Sequence, residues 1–358
     1  MNLKKIAYAV LAGMIAFGAT SADVSAMSRS EISAIKVSKS GNFKYWTKDA
    51  DAKQKLVAYV KDVTNKTSKN FIPVEDRIAV FDVDGTLICE TAPYYAEWMM
   101  YLQRALYDEN YIPSQADREY ARSIEEAIRK THKFPSDVML KEAQSQESVF
   151  SGMSPEEYAD YTKKFLDTPV EGLSNLKWGE SFYAPMVEIV KYLQSNDFTV
   201  YFVSGSDREF LRVAACDLFK IKPSQIIGTD AQVLATGQSD TDGLNYLFKK
   251  GDKLVRGQFV IKDLNMNKVS AISTEIGKQP VLAFGNSGSD SSMLNYAIND
   301  NKYKGLAFMV LCDDLERELG NESKAAKCKK LADDNGWISI SMRDDWKTIY
   351  GDNVKVER

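Results

Sequence analysis

Three stretches of this chain are continuously apolar rather than alternating: Ile78-Ala79-Val80-Phe81, Val200-Tyr201-Phe202-Val203 and Val281-Leu282-Ala283-Phe284. A strand buried on both faces, as in a parallel sheet covered by helices, reads this way. Ala307 to Leu311 has the same character and reads as the last parallel strand. Between the first two runs lie roughly 110 residues, far more than a simple crossover needs. That interval has helical periodicity over 92–107, 114–131, 136–150 and 154–166. Ser154-Pro155-Glu156-Glu157 is a helix start, with Ser as cap, Pro at the first position and acids in the first turn. The pattern predicts an α/β chain with a Rossmann-like, three-layer core built on a parallel sheet, interrupted by a helical insertion over about 89–180.

The remaining elements fill in around this plan. Leu56, Val57, Val60 and Val63 recur at helical spacing and predict one amphipathic helix docked on the core. Helices are expected over 185–193 and 207–218 on either side of the second run. Short alternating stretches punctuated by Gly and Asp, within about 228–262, predict a small antiparallel hairpin insertion. The C-terminal region reads as a helix and a short Ile338-Ser339-Ile340 strand.

Each of the three runs ends in residues with chemistry. The first is followed by Asp82-Val83-Asp84-Gly85-Thr86-Leu87, two carboxylates two residues apart before a tight turn. Strand ends of this kind open into the ligand crevice of an α/β sheet. Carboxylates buried there without a partner cost several kcal/mol, so they call for a cation, and a hard one such as Mg2+ suits them. The second run ends in Ser204-Gly205-Ser206-Asp207 and the third in Gly285-Asn286-Ser287-Gly288-Ser289-Asp290.

In this order, these segments resemble the motifs of the haloacid-dehalogenase-like hydrolase superfamily, over about residues 75 to 310, and more narrowly its phosphoserine phosphatase and phosphorylcholine phosphatase branch. The resemblance implies a helical cap at 89–180, a core at 27–88 and 181–358, and a Mg2+-dependent phosphatase acting on a small phosphomonoester. It implies Asp82 as nucleophile, Asp84 as acid and base, Ser204 with Gly205 at the phosphoryl oxygens, and a lysine that compensates their charge. Two lysines compete for that last role: Lys268, at the head of a helical pattern with Val269, Ile272 and Ile276, is favoured over Lys262. Mg2+ is implied to be held by Asp82, Asp84, Asn286 and Asp290. Asn286 stands where the family has an aspartate, which removes one negative charge from the ligand set.

Gly85 allows the turn after the two acids, and Thr86 is placed to fix the side chain of Asp84. Asp84 needs a raised pKa for acid catalysis, and repulsion from neighbouring carboxylates gives that direction. For the substrate, Tyr94, Trp98 and Tyr101 share a helical face and offer an aromatic cage for a cationic head group, and Glu90 offers a carboxylate for an ammonium. Packing within the cap accounts for the same aromatics, and a hinge role for the same glutamate. Two other functions fit the motifs: a phosphotransferase, and an exported binding protein on a weakened catalytic scaffold.

Net charge is −4 and no Lys/Arg-rich block occurs, so nucleic acid is not an expected partner. Lys4-Lys5, the apolar stretch Ile6 to Ala19 and the small residues at Ser21-Ala22 or Ser25-Ala26 have the layout of a secretory signal peptide over residues 1–26. That apolar stretch is shorter than the roughly 20 residues a membrane span needs. A periplasmic or secreted enzyme without a membrane span is expected. Export permits disulfides, and of Cys89, Cys216, Cys312 and Cys328 the last two are near enough in sequence to pair, a bridge worth about 3 kcal/mol. The single histidine, His132, lies in a polar segment and reads as solvent-exposed.

Overall fold

The apolar runs become the centre of one seven-stranded sheet in the computed structural model, which describes residues 26–90 and 94–357. The strands are β1 (Ile78–Phe81), β2 (Thr199–Asp207), β3 (Ile226–Ala235), β4 (Leu254–Ile261), β5 (Leu282–Gly285), β6 (Leu306–Leu311) and β7 (Ile338–Ser341). Their order is β4-β3-β2-β1-β5-β6-β7, and every pairing is parallel except β3 with β4. The fold is therefore the expected α/β class. The expected signal peptide, apart from its last residue Ala26, lies outside the described residues, as does the start of the first insertion helix at Ala92. No described helix is long and apolar enough to cross a membrane.

The continuous apolar character of the strands serves two cores at once. Because side chains alternate along a strand, Ala79 and Phe81 of β1 join one cluster with Phe202, Phe284, Val187 and Leu211. Ile78 and Val80 join a second with Ala283, Met293, Leu294 and Ala325. Helices Asp51–Thr64, Ala184–Ser195 and Arg208–Phe219 supply the first layer, and helices Ser291–Ile298 and Glu322–Asn335 the other. One row of phenylalanines crosses four strands in register: Phe202 beside Phe81, Phe81 beside Phe284, and Phe284 beside Phe308. The Phe81 and Phe284 rings stack at 4.2 Å, and Phe284 and Phe308 at 4.7 Å. Each such pair adds about 0.5–1.5 kcal/mol beyond burial. The row lies immediately before Asp82 and Gly285, so it fixes the height of those strand ends.

The insertion is helical as expected, with helices Ala96–Leu102, Gln115–Glu126, Val138–Phe150 and Pro155–Leu166. Ser154 caps the last of these through a reciprocal box with Glu157, worth about 1 kcal/mol. The antiparallel hairpin expected within about 228–262 forms between the outer part of β3 and β4, and its first strand is continuous with the core because β3 pairs with β2 before it pairs with β4. The sheet also continues past β6, with Ile338–Ser341 as a further parallel strand. β4 ties the insertion to the core. Arg256 exchanges backbone hydrogen bonds with Gly152 and Met153, and its guanidinium donates to Asp207 (2.7 Å) and to Glu147.

Cys312 and Cys328 are not joined by a disulfide, which corrects the expected bridge. Each thiol of that pair is turned to a backbone carbonyl instead, Cys312 to Asn321 and Cys328 to Asn286. His132 is exposed and occupies a left-handed position that ends a helical segment.

Candidate active site

Strands β2, β1 and β5 are adjacent, and the chain leaves β1 toward β2 on one side and β5 on the other. This is a topological switch point, where open α/β sheets form their ligand crevice at the carboxyl ends of the strands. All three motif segments meet there, around a cavity of about 200 Å3 lined by Asp82, Asp84, Gly205, Ser206 and Asn286 among others.

Asp82 continues the ladder beyond β1 by donating its N–H to Phe284 O at 2.9 Å. The chain then folds back, with Leu87 and Ile88 both donating to Val83 O and Gly85 to Ile88 O. Gly85 has φ of +75°, and a β-carbon there would lie 1.9 Å from both Asn286 Nδ2 and Glu90 Oε2. Backbone conformation and space thus both demand glycine. Thr86 Oγ1 donates to Asp82 Oδ2 at 3.3 Å; it orients Asp82, not Asp84 as the sequence reading had it.

Lys268 settles the competition between the two lysines for the place beside Asp82. Its ammonium is fully buried and donates to Asp82 Oδ1 at 2.6 Å and Asp290 Oδ1 at 2.7 Å. Burial pulls the Lys268 pKa down, but the Asp290 and Asp82 carboxylates outweigh it and hold the ammonium above its ordinary value. The other oxygen of Asp290 accepts from Asn286 N, Ser287 N and Ser287 Oγ, each at 3.1 Å. Asp290 therefore has both oxygens engaged in fixing the loop and the lysine. The chain can pass so close because Gly285 is a glycine, where a β-carbon would meet Asp290 Cβ at 2.5 Å.

Asp84 is held from the β2 side. Ser206 Oγ donates to its Oδ2 at 2.7 Å and Ser204 Oγ at 3.4 Å, whereas Oδ1 is buried without a partner. Burial pushes the Asp84 pKa up to about 6; the Ser206 hydrogen bond opposes this and the Glu90 charge adds to it. The direction is the expected one, but the main cause is desolvation rather than repulsion. Asp82 is pushed up to about 8, by burial first and then by Asp290, against the pull of Lys268. Ser206 was not singled out from the sequence. Its signal was present, since residues two apart on a strand share a face and Ser204 had been identified.

The substrate end is less well foreseen. Of Tyr94, Trp98 and Tyr101, only Trp98 lines the cavity, joined by Tyr95 and Met139. Tyr101 is fully buried with its hydroxyl on Ser145 at 2.8 Å, and the Tyr94 ring stacks on Phe134 at 5.1 Å. The three-sided cage is not formed. Glu90 is engaged on both oxygens, by Lys324 and by Asn286 Nδ2, so it joins the turn to the third motif and to the C-terminal helix. Lys262, the other lysine, also lines the cavity and reaches Glu142 of the insertion at 3.4 Å.

Nearby Glu97, on helix Ala96–Leu102, is fully buried with Oε1 unpartnered. Burial pushes its pKa up to about 8, opposed chiefly by Lys262. A carboxyl whose folded pKa lies above its unfolded value of about 4.3 binds its proton more tightly when folded. Its contribution to stability is complete below that value and is lost as pH rises toward 8. Glu97→Gln is expected to flatten the decline in Tm between about pH 5 and pH 8, measured by thermal melts. An unchanged slope would remove Glu97 as a source of that decline.

The residues fit a hard divalent cation, though among the described residues no three acidic, histidine or cysteine side chains cluster to hold one. The cavity-lining residues Asp82, Asp84 and Asn286 offer oxygens: the Asp82 carboxylate, the main-chain carbonyl of Asp84 that the resemblance implies, and the Asn286 amide oxygen, which is not used in the bond its nitrogen makes to Glu90. The partnerless Asp84 Oδ1 adds negative charge to the same space. Oxygen-only sets of this kind suit Mg2+.

The haloacid dehalogenase-like hydrolase family model matches residues 77–250. Residues 77–250, which hold the first two motif segments and the insertion, thus carry the pattern of a haloacid dehalogenase-like hydrolase domain. Comparison with curated protein sequences finds no match. Among solved structures, a conserved functionally unknown protein from Anaerococcus prevotii DSM 20548 is similar at 14% identity and TM-score 0.49, over 80% of this chain and 92% of that one. A protein with unknown function from Bordetella pertussis Tohama I is similar at 15% identity and TM-score 0.46, covering 74% and 97%. A phosphoserine phosphohydrolase-like protein from Francisella tularensis subsp. tularensis SCHU S4 is similar at 16% identity and TM-score 0.37, covering 66% and 87%.

Proposed function

We propose that the protein is a phosphatase that hydrolyses a small phosphomonoester through a covalent intermediate on Asp82. The observation that carries this reading is the pairing at the end of β1. One carboxylate is locked on a buried lysine at 2.6 Å, and a second, two residues on, has a pKa pushed up to about 6. The first is oriented to attack, and the second is poised between acid and base. Asp82 attacks phosphorus and forms an acyl phosphate while the P–O bond to the alcohol breaks, and Asp84 donates a proton to the departing oxygen. Asp84, now ionised, takes a proton from water, which attacks the same phosphorus and releases inorganic phosphate and free Asp82. Ser204 of β2, whose hydroxyl donates only a long 3.4 Å bond to Asp84, would turn it to a phosphoryl oxygen, and Lys268 offsets the charge that builds beside Asp82.

Asp82, the Asp84 carbonyl and Asn286 would hold Mg2+, with Asp290 positioning the loop that presents Asn286. When bound, Mg2+ supplies positive charge that offsets repulsion between these carboxylates and the phosphate dianion. The leader-like residues 1–26 support export of the enzyme to the periplasm or medium. Hydrolysis of p-nitrophenyl phosphate in Mg2+, abolished by EDTA and restored by added Mg2+, is the expected result. Full activity in EDTA would contradict the metal set, and no turnover of any phosphomonoester would contradict the whole reading. Added glycerol, with phosphoglycerol sought as product, separates hydrolysis from phosphotransfer.

A further inference from the structure

The alcohol half of the substrate must occupy the cavity beyond Asp82 and Asp84, between Trp98, Tyr95 and Met139. Two charged side chains line that end, Glu90 and Lys262. Glu90 has no oxygen to offer, because Lys324 and Asn286 occupy both. Lys262 is different. An ammonium has three N–H donors, and the one described hydrogen bond it makes is the long 3.4 Å contact to Glu142 Oε2. Glu142 belongs to helix Val138–Phe150 and is itself fully buried, so it backs the lysine from behind. Burial alone would pull Lys262 toward the neutral amine, but Glu142 and Glu97 outweigh it and keep it charged.

Building on the phosphatase reading, we propose that Lys262 is a specificity residue that binds an anionic oxygen group, a carboxylate or a second phosphate, on the leaving alcohol. A cationic head group would find two aromatic walls and a glutamate, Glu90, with both oxygens already taken, and would face the Lys262 charge across a small cavity. A neutral alcohol would leave two donors of a desolvated ammonium unmatched, which costs affinity. Like Arg256 on β4, Lys262 links the core to the insertion, through Glu142.

The test compares esters that differ in the charge of the alcohol: 3-phosphoglycerate and 1,3-propanediol bisphosphate as the carboxylate and phosphate arms, glycerol 3-phosphate as neutral, and phosphorylcholine as cationic. The wild-type enzyme is expected to show its highest kcat/KM on one of the two anionic arms, and which arm leads identifies the anion. In Lys262→Met the ratio of kcat/KM for that ester to that for glycerol 3-phosphate is expected to fall about 10- to 100-fold, carried by KM. Lys262→Arg is expected to keep most of the preference. A lysine that merely neutralised Glu142 and Glu97 would lower all four esters together, and that result would overturn the proposal. Preference of the wild type for phosphorylcholine or glycerol 3-phosphate would overturn it without any variant. Failure on every ester including p-nitrophenyl phosphate would instead remove the phosphatase reading on which it rests.

Discussion

Lys268→Met is expected to abolish turnover and to destabilise the fold by about 3–5 kcal/mol near neutral pH. Lys268 is the cation between Asp82 and Asp290, within 2.7 Å of both, and is fully buried. Methionine fills the space but leaves two carboxylates facing each other without a counter-charge. They must then protonate or draw in water, at a cost close to that of breaking a buried pair. The loss extends beyond the pair, since Asp290 also holds Asn286 and Ser287 in place. Because protonating the two acids relieves the repulsion, the difference in stability between variant and wild type should narrow as pH falls. Denaturant melts at two pH values check this. Equal stability of the two proteins at neutral pH would mean that the lysine is not the counter-charge the geometry describes.

Asp82→Asn is expected to lower turnover of p-nitrophenyl phosphate by at least about 10^4-fold, since an amide is no nucleophile toward phosphorus. Stability should change far less than in the lysine variant. The amide oxygen still accepts from Lys268, and Asp290 keeps its partner. The two variants thus separate chemistry from folding: both lose activity, but Lys268→Met alone loses the fold's reserve. Activity near wild type in Asp82→Asn, assayed on purified protein with its melt recorded, would place the nucleophile elsewhere.

The parts of this site legible in the sequence are those set by local pattern. Continuous apolar runs gave the buried strands, and strand ends gave the crevice, so Asp82, Asp84, Ser204, Asn286 and Lys268 were found from spacing and from resemblance together. What the sequence left open depends on contacts between distant segments. Glu90 fitted a substrate ammonium or a hinge, and its bond to Lys324, 234 residues away in sequence, takes it from the substrate. Tyr101 fitted a cage wall or packing within the insertion, and Ser145 of a neighbouring helix, which holds its hydroxyl inside, decides for packing. Lys262 was set aside as the weaker candidate for one role, whereas the fold gives it a different place in the same cavity. The cause of the raised Asp84 pKa likewise needed burial, which no linear pattern reports.

The central claim is that Asp82 carries the phosphoryl group during turnover. Rapid acid quench of the enzyme with substrate and Mg2+, reduction with borohydride, and peptide mass spectrometry read this directly. An acyl phosphate on Asp82 is reduced to homoserine at that position, in proportion to the intermediate trapped, and this is the expected result. Turnover confirmed in the same sample with position 82 unmodified, or with the label at another residue, would contradict the account.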